Sequence, residues 1–166
     1  LERRALFRDD RDRADCLGWL AGLVAAGAGT VYAWALMPNH AHLLVRTGQR
    51  PLARAMRALC AGYAGTFNRR HGRLGHLFQN RYLAVVIEEE PYFLEPVRYL
   101  HLNPFWAGLR RALRHLERDP WSGQAPRLGC PPHPGQATAE VLGQFGRAPR
   151  RGRARYRAFV AAGVAQ

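Results

Sequence analysis

His40 and His42 stand two residues apart in the stretch Met37-Pro-Asn-His-Ala-His-Leu-Leu-Val45. In a β-strand, side chains at that spacing share a face. Two imidazoles projecting together from a rigid element supply half of a metal site, the other ligands coming from elsewhere in the fold. The plainer alternative is a pair of polar positions on a half-exposed strand, and the motif alone does not separate the two. A second candidate group lies in Arg98-Tyr-Leu-His-Leu-Asn-Pro104. On a helix Tyr99 and Asn103, four residues apart, share a face while His101 points away from it. A core tyrosine and a helix-ending Asn before Pro104 would produce the same spacing.

The surrounding sequence specifies the elements that must carry these groups. Phe7-Arg-Asp-Asp10 offers an Asp as N-cap and Phe7 as a hydrophobic staple, and Leu17, Leu20, Ala21 and Val24 follow on one helical face until Gly27 to Gly29 end it. Thr30 to Leu36 is β-branched and aromatic, and Pro38-Asn39 turns it into the histidine strand, so a hairpin is expected. Pro51 opens a second helix with Leu52, Met56, Leu59, Cys60, Tyr63 and Phe67 at helical spacing. After the loop His71 to Gly75, the unbroken apolar run Tyr82 to Ile87 predicts a strand buried on both faces. Glu88-Glu-Glu90 before Pro91 suits the start of a third helix. Pro96 fits that helix only in its first turn.

The chain has 166 residues, a formal net charge of +13 and no lysine, so every basic residue except histidine is Arg. Arg forms forked contacts to phosphate and stacks on bases, which favours a nucleic-acid partner over a membrane surface. An arginine-biased codon usage would give the same composition. Cys16, Cys60 and Cys130 are odd in number and widely spaced, as expected of reduced thiols in the cytoplasm. The charged opening Leu1-Glu-Arg-Arg4 has no secretory pattern. Leu17 to Met37 is uncharged and long enough to span a bilayer, but its glycines and its change of periodicity predict a helix followed by a strand, and no membrane association.

Taken together, Met37 to Val45, Gly75-His-Leu-Phe-Gln-Asn-Arg-Tyr82 and Arg98-Tyr-Leu-His-Leu-Asn-Pro-Phe-Trp-Ala-Gly108 resemble the REP-associated tyrosine transposases. These belong to the HUH single-strand DNA transposases with one catalytic tyrosine. The resemblance extends to Phe7 to Arg13 and Val141 to Gly146. It implies an α+β, ferredoxin-like fold, with helices packed on one face of an antiparallel sheet and the metal site on the other. The family's first strand would precede Leu1, so that sheet position is expected to be missing. His40 and His42 match the paired metal ligands, Asn103 the third ligand and Tyr99 the nucleophile. The cofactor implied is Mg²⁺ or Mn²⁺ without any nucleotide, and the mixed imidazole and amide donors suit Mn²⁺ better.

The implied reaction is cleavage and rejoining of single-stranded DNA at hairpin-forming palindromic repeats, through a 5′-phosphotyrosine, by a monomer or homodimer. Two other classes share these features: a hairpin DNA- or RNA-binding protein that no longer cuts, and a metal-dependent hydrolase that uses water. Arg54, Arg57, Arg69 and Arg70 lie off the apolar stripe of the second helix and are candidate phosphate contacts; a solvated face is the alternative. Residues 104 to 166 hold eleven Arg against three acids. There Arg147, Arg150, Arg151, Arg153, Arg155 and Arg157, interleaved with aromatics, predict a DNA-contacting segment. The expected organisation is a catalytic domain over 1–125, a Pro/Gly-rich linker over 126–137 and a basic helical appendage over 138–166.

Overall fold

Residues 4–88 and 93–165 are described in the computed structural model, which is mixed α+β. Helix α1 (Asp10–Ala25) starts where Asp9 accepts a hydrogen bond from the Asp12 N–H, at 3.0 Å, and buries Leu17 and Leu20. Strands β1 (Gly29–Met37) and β2 (His40–Thr47) form the hairpin, antiparallel, with Met37 opposite His40 across Pro38-Asn39. Helix α2 (Leu52–His71) buries the stripe Leu59, Tyr63 and Phe67 and stops at Gly72, whose φ of 59° is a left-handed cap. Helix α3 is Leu94–Trp106. The short helices α4 (Leu113–Leu116), α5 (Gln124–Arg127) and α6 (Thr138–Gly143) lead to α7 (Pro149–Ala162) and a closing 3₁₀ turn.

The sheet divides two cores. Val31, Trp34 and Leu36 of β1, with Leu43 and Val45 of β2, pack against α1 and α2. Tyr32 and Ala33, with Leu44, pack on the opposite side against Val97, Leu100 and Leu102 of α3, Leu116, Val141 and the α7 residues Tyr156 and Val160. Helices therefore lie on both sides of the hairpin, α1 and α2 on one and α3 with α7 on the other. No described helix is long and apolar enough to cross a membrane.

One sequence expectation is overturned. Tyr82 to Ile87 is not a buried strand: it has no regular structure, and Leu83, Val85 and Val86 are 93%, 77% and 96% exposed. A strand is buried only if the sheet offers it a ladder position. The outer edge of β1 is already taken, because Leu36 N–H donates to Trp121 O, Gly123 N–H to Trp34 O and Ala137 N–H to Val31 O, each at 2.9 Å. Among the described residues 82–87 makes no backbone hydrogen bond to either strand. The expected helix start at Glu88 to Pro91 falls largely outside the described residues. Helix α3 does hold Pro96 in its first turn, where no backbone donor is needed. It then continues through Pro104, so Asn103 lies inside the last turns and does not end the helix.

The segment 126–137 is tied to the sheet: Gln136 Oε1 accepts the Trp34 indole N–H at 2.7 Å and its amide donates to Gly123 O at 2.8 Å. The basic C-terminal helices likewise share the α3 core. A buried polar chain fastens them. Arg127 Nη1 donates to His101 Nε2 at 3.1 Å, so that nitrogen accepts and His101 Nδ1–H donates to the Tyr156 hydroxyl. All three side chains are fully buried, and Arg127 Nε and Nη2 have no partner among the described residues. Burial pushes the His101 imidazole well below its ordinary range and the Tyr156 phenol up to about 12. Tyr156→Phe leaves the His101 N–H buried without an acceptor, at a cost of about 1–3 kcal/mol. Its urea midpoint is expected to fall by that free energy divided by the slope, the slope itself staying unchanged; an unchanged midpoint would show that the chain does not hold α3.

Candidate active site

The turn places the histidines. With Met37 opposite His40 and Ala35 opposite His42, strand alternation sends His40, His42 and Leu44 to the face crossed by α3. The two Nε2 atoms approach to 3.1 Å with the rings nearly perpendicular, at 87°. Asn39 Oδ1 lies 2.7 Å from His40 Nδ1. An amide oxygen only accepts, so Nδ1 carries the proton and the His40 Nε2 lone pair faces His42. Burial, with His40 as a second cause, lowers the His42 pKa. Neutral imidazole is the metal-binding form. Because the unfolded chain takes up this proton first, the associated stability is complete above the ordinary value of 6.5 and is lost as pH falls through the lowered one.

Helix α3 supplies the rest. Val97, Arg98, Leu100, His101, Leu102 and Pro104 are buried, whereas Tyr99 is 51% exposed. The Tyr99 ring stands edge-on to His42, centroids 6.3 Å apart and planes at 82°. Its other neighbour is Trp106, centroids 5.6 Å apart. Asn103 is partly buried one turn after Tyr99, and its side-chain amide makes no hydrogen bond among the described residues. The fold therefore brings His40, His42 and Tyr99 into ring contact, with Asn103 on the tyrosine's face. Two imidazoles bound to one cation at about 2.1 Å each, near a right angle, would hold their nitrogens about 3 Å apart. The observed 3.1 Å fits such a pair. Among the described residues no three His, Cys, Asp or Glu side chains are grouped to hold an ion.

The arginines fall into two kinds. Arg54, Arg57, Arg69, Arg147, Arg150, Arg151 and Arg153 are exposed. Arg155 donates to Phe145 O at 3.2 Å and Arg157 to Glu117 at 2.8 Å. Arg70, also exposed, is committed to intramolecular pairing, forked onto Asp9 at 2.6 Å and reaching the buried Asp12 carboxylate, which His71 also contacts at 2.9 Å. Burial of Asp12 opposes its charge, but His71, the Arg8 N–H and Arg70 outweigh it and lower the pKa. This cluster joins the start of α1 to the end of α2. Sequence reasoning missed two residues beside the site: Asn39, which orients His40, and Trp106, seven residues after Tyr99 on the same helical stripe. The second was available from spacing alone.

Asn39→Ala removes the acceptor that orients His40 and is expected to lower Mn²⁺ affinity about 10–100-fold by titration calorimetry. His40→Ala and His42→Ala should lower it further, and affinity in the native chain should fall as pH drops and protons compete for the nitrogens. Equal affinity in the native chain and His42→Ala would show that the pair is no metal site.

Searches of the curated proteins and of the solved structures found no match. The family model described as "Transposase IS200 like" matches residues 1–102, a span that holds the hairpin, both histidines and Tyr99. The chain therefore belongs to the IS200-like transposase family, enzymes of DNA transposition.

Proposed function

We propose that the protein cuts and rejoins single-stranded DNA at hairpin-forming repeats, with Tyr99 as nucleophile and Mg²⁺ or Mn²⁺ held by His40, His42 and Asn103. Within its family this makes it a REP-associated tyrosine transposase of the HUH class. The observation that carries the reading is the convergence of two Nε2 atoms, 3.1 Å apart, beside the exposed Tyr99 ring that meets His42 edge-on. A structural tyrosine on α3 would be turned inward like its neighbours.

A bound divalent ion would neutralise charge on the scissile phosphate and orient it. The Tyr99 oxygen forms a bond to phosphorus as the bond to the 3′-oxygen breaks; the phenol proton leaves, and the departing 3′-oxygen takes up a proton. The 5′-phosphate stays on Tyr99 as a phosphodiester, which a free 3′-hydroxyl can attack to restore the strand. Because the phosphodiester is conserved throughout, no nucleotide cofactor is needed. Burial lowers the His42 pKa, which favours the neutral, ligating form. The exposed Arg147, Arg150, Arg151 and Arg153 provide a basic strip for the DNA backbone.

Incubation with single-stranded stem-loop oligonucleotides and Mn²⁺, followed by denaturing electrophoresis, is expected to give a covalent protein–DNA band. Tyr99→Phe should bind the same strands and give no band, since it removes only the attacking oxygen. An adduct formed by folded Tyr99→Phe would refute the assignment. Replacing Arg147, Arg150 and Arg151 by Gln should flatten the dependence of log affinity on log salt by about 0.7 for each phosphate no longer neutralised; an unchanged slope would take these arginines off the interface.

A further inference from the structure

On helix α3 the exposed residues are Glu95, Tyr99 and Trp106. Tyr99, Asn103 and Trp106 stand at i, i+4 and i+7, the spacing that aligns three side chains along a helix. Trp106 is 42% exposed, and the only ring contact of its indole among the described residues is with Tyr99. The indole N–H groups of Trp19 and Trp34 are hydrogen-bonded to Thr66 and Gln136, whereas those of Trp106 and Trp121 have no partner among the described residues, and the Trp121 ring is covered by the Arg13 guanidinium. Part of a large apolar ring is thus open to solvent next to Tyr99.

We propose that Trp106 is a stacking platform for a nucleobase beside the scissile phosphate. The inference rests on the single-strand reading and adds a binding subsite to it. A phosphate in reach of the Tyr99 oxygen and the histidine pair carries a nucleotide on each side, and an unpaired base one sugar away lies within the span of the neighbouring ring. Indole is the largest stacking surface a side chain offers, and stacking accepts any base, so the subsite would hold the strand without reading its sequence. The indole N–H adds a donor for a phosphate or base edge. The subsite also explains why the ring touches Tyr99: seating a base on Trp106 would order the tyrosine at the same time.

The test uses the full chain and two probes of equal length and charge, oligo(dT) and a strand of abasic sugar-phosphate units. The native protein should prefer oligo(dT). Trp106→Ala should lose roughly 5- to 100-fold of affinity for oligo(dT) and little for the abasic strand, while Trp106→Phe keeps most of the preference. Fluorescence of the native chain minus that of Trp106→Phe should be quenched by oligo(dT) and not by the abasic strand, a readout that survives if Trp106→Ala fails to fold. Full retention of the preference in Trp106→Ala, or absence of that quenching, overturns the platform and leaves the single-strand reading standing. A native protein that binds neither these strands nor the stem-loop oligonucleotides refutes both.

Discussion

The register of one hairpin is the constraint on which the site depends. With Met37 opposite His40, His40 and His42 face α3; a slip of one residue would turn both into the core beside Trp34 and bring Leu43 outward. Several independent interactions fix the register. Trp34 and Leu36 on one side and Ala33 and Ala35 on the other are almost fully buried, so no shifted pairing preserves both cores. The turn itself is clamped, because the Leu6 and Phe7 N–H groups donate to Pro38 O at 2.9 and 3.3 Å. Tyr63 of α2 then donates to Leu6 O at 2.5 Å. Position of the imidazoles is thus set by the first core, two residues away from the chemistry.

The second core sets the tyrosine. Helix α3 packs with its apolar side on Tyr32, Ala33 and α7, and His101 is caught between Arg127 and Tyr156. A buried guanidinium without a carboxylate is costly, and a polar chain inside an apolar core fixes orientation more strictly than oil-like packing does. His101 lies two residues from Tyr99 and points to the opposite side of the helix. Locking the one rotates the other toward His42. The C-terminal basic helices therefore have a structural part in the site as well as an exposed arginine surface.

What the sequence made legible was local. The hairpin, the ends of α1, the start of α2 to within a residue, the shared face of Tyr99 and Asn103 and the placement of Pro96 all follow from periodicity and turn chemistry within a few residues. What it concealed was nonlocal. Tyr82 to Ile87 has the composition of a buried strand, but it pairs neither with β1, whose edge holds Trp121 and Ala137, nor with the outer edge of β2, so composition did not secure it a ladder position. Arg70 looked like a phosphate contact because its partners Asp9 and Asp12 lie some sixty positions earlier. Arg127 offered no signal at all, since arginine reads by type as solvent-facing, and although Tyr156 stands on an apolar stripe with Phe159 and Val160, its link to His101 and Arg127 spans distant parts of the chain. Asn39 and Trp106 were within reach of pattern reasoning, one adjacent to His40 and the other two helical turns beyond Tyr99.

The central claim is that the tyrosine aimed at the histidine pair is the one that becomes joined to DNA. Its most direct test is to form the adduct with a labelled strand, digest both partners and locate the remaining 5′-phosphonucleotide by peptide mass spectrometry. The account requires the label on Tyr99. A label on Tyr82 or Tyr63 in an otherwise native digest would contradict it, because neither belongs to the face of α3 that meets His42, and a label on Tyr92 would contradict it equally.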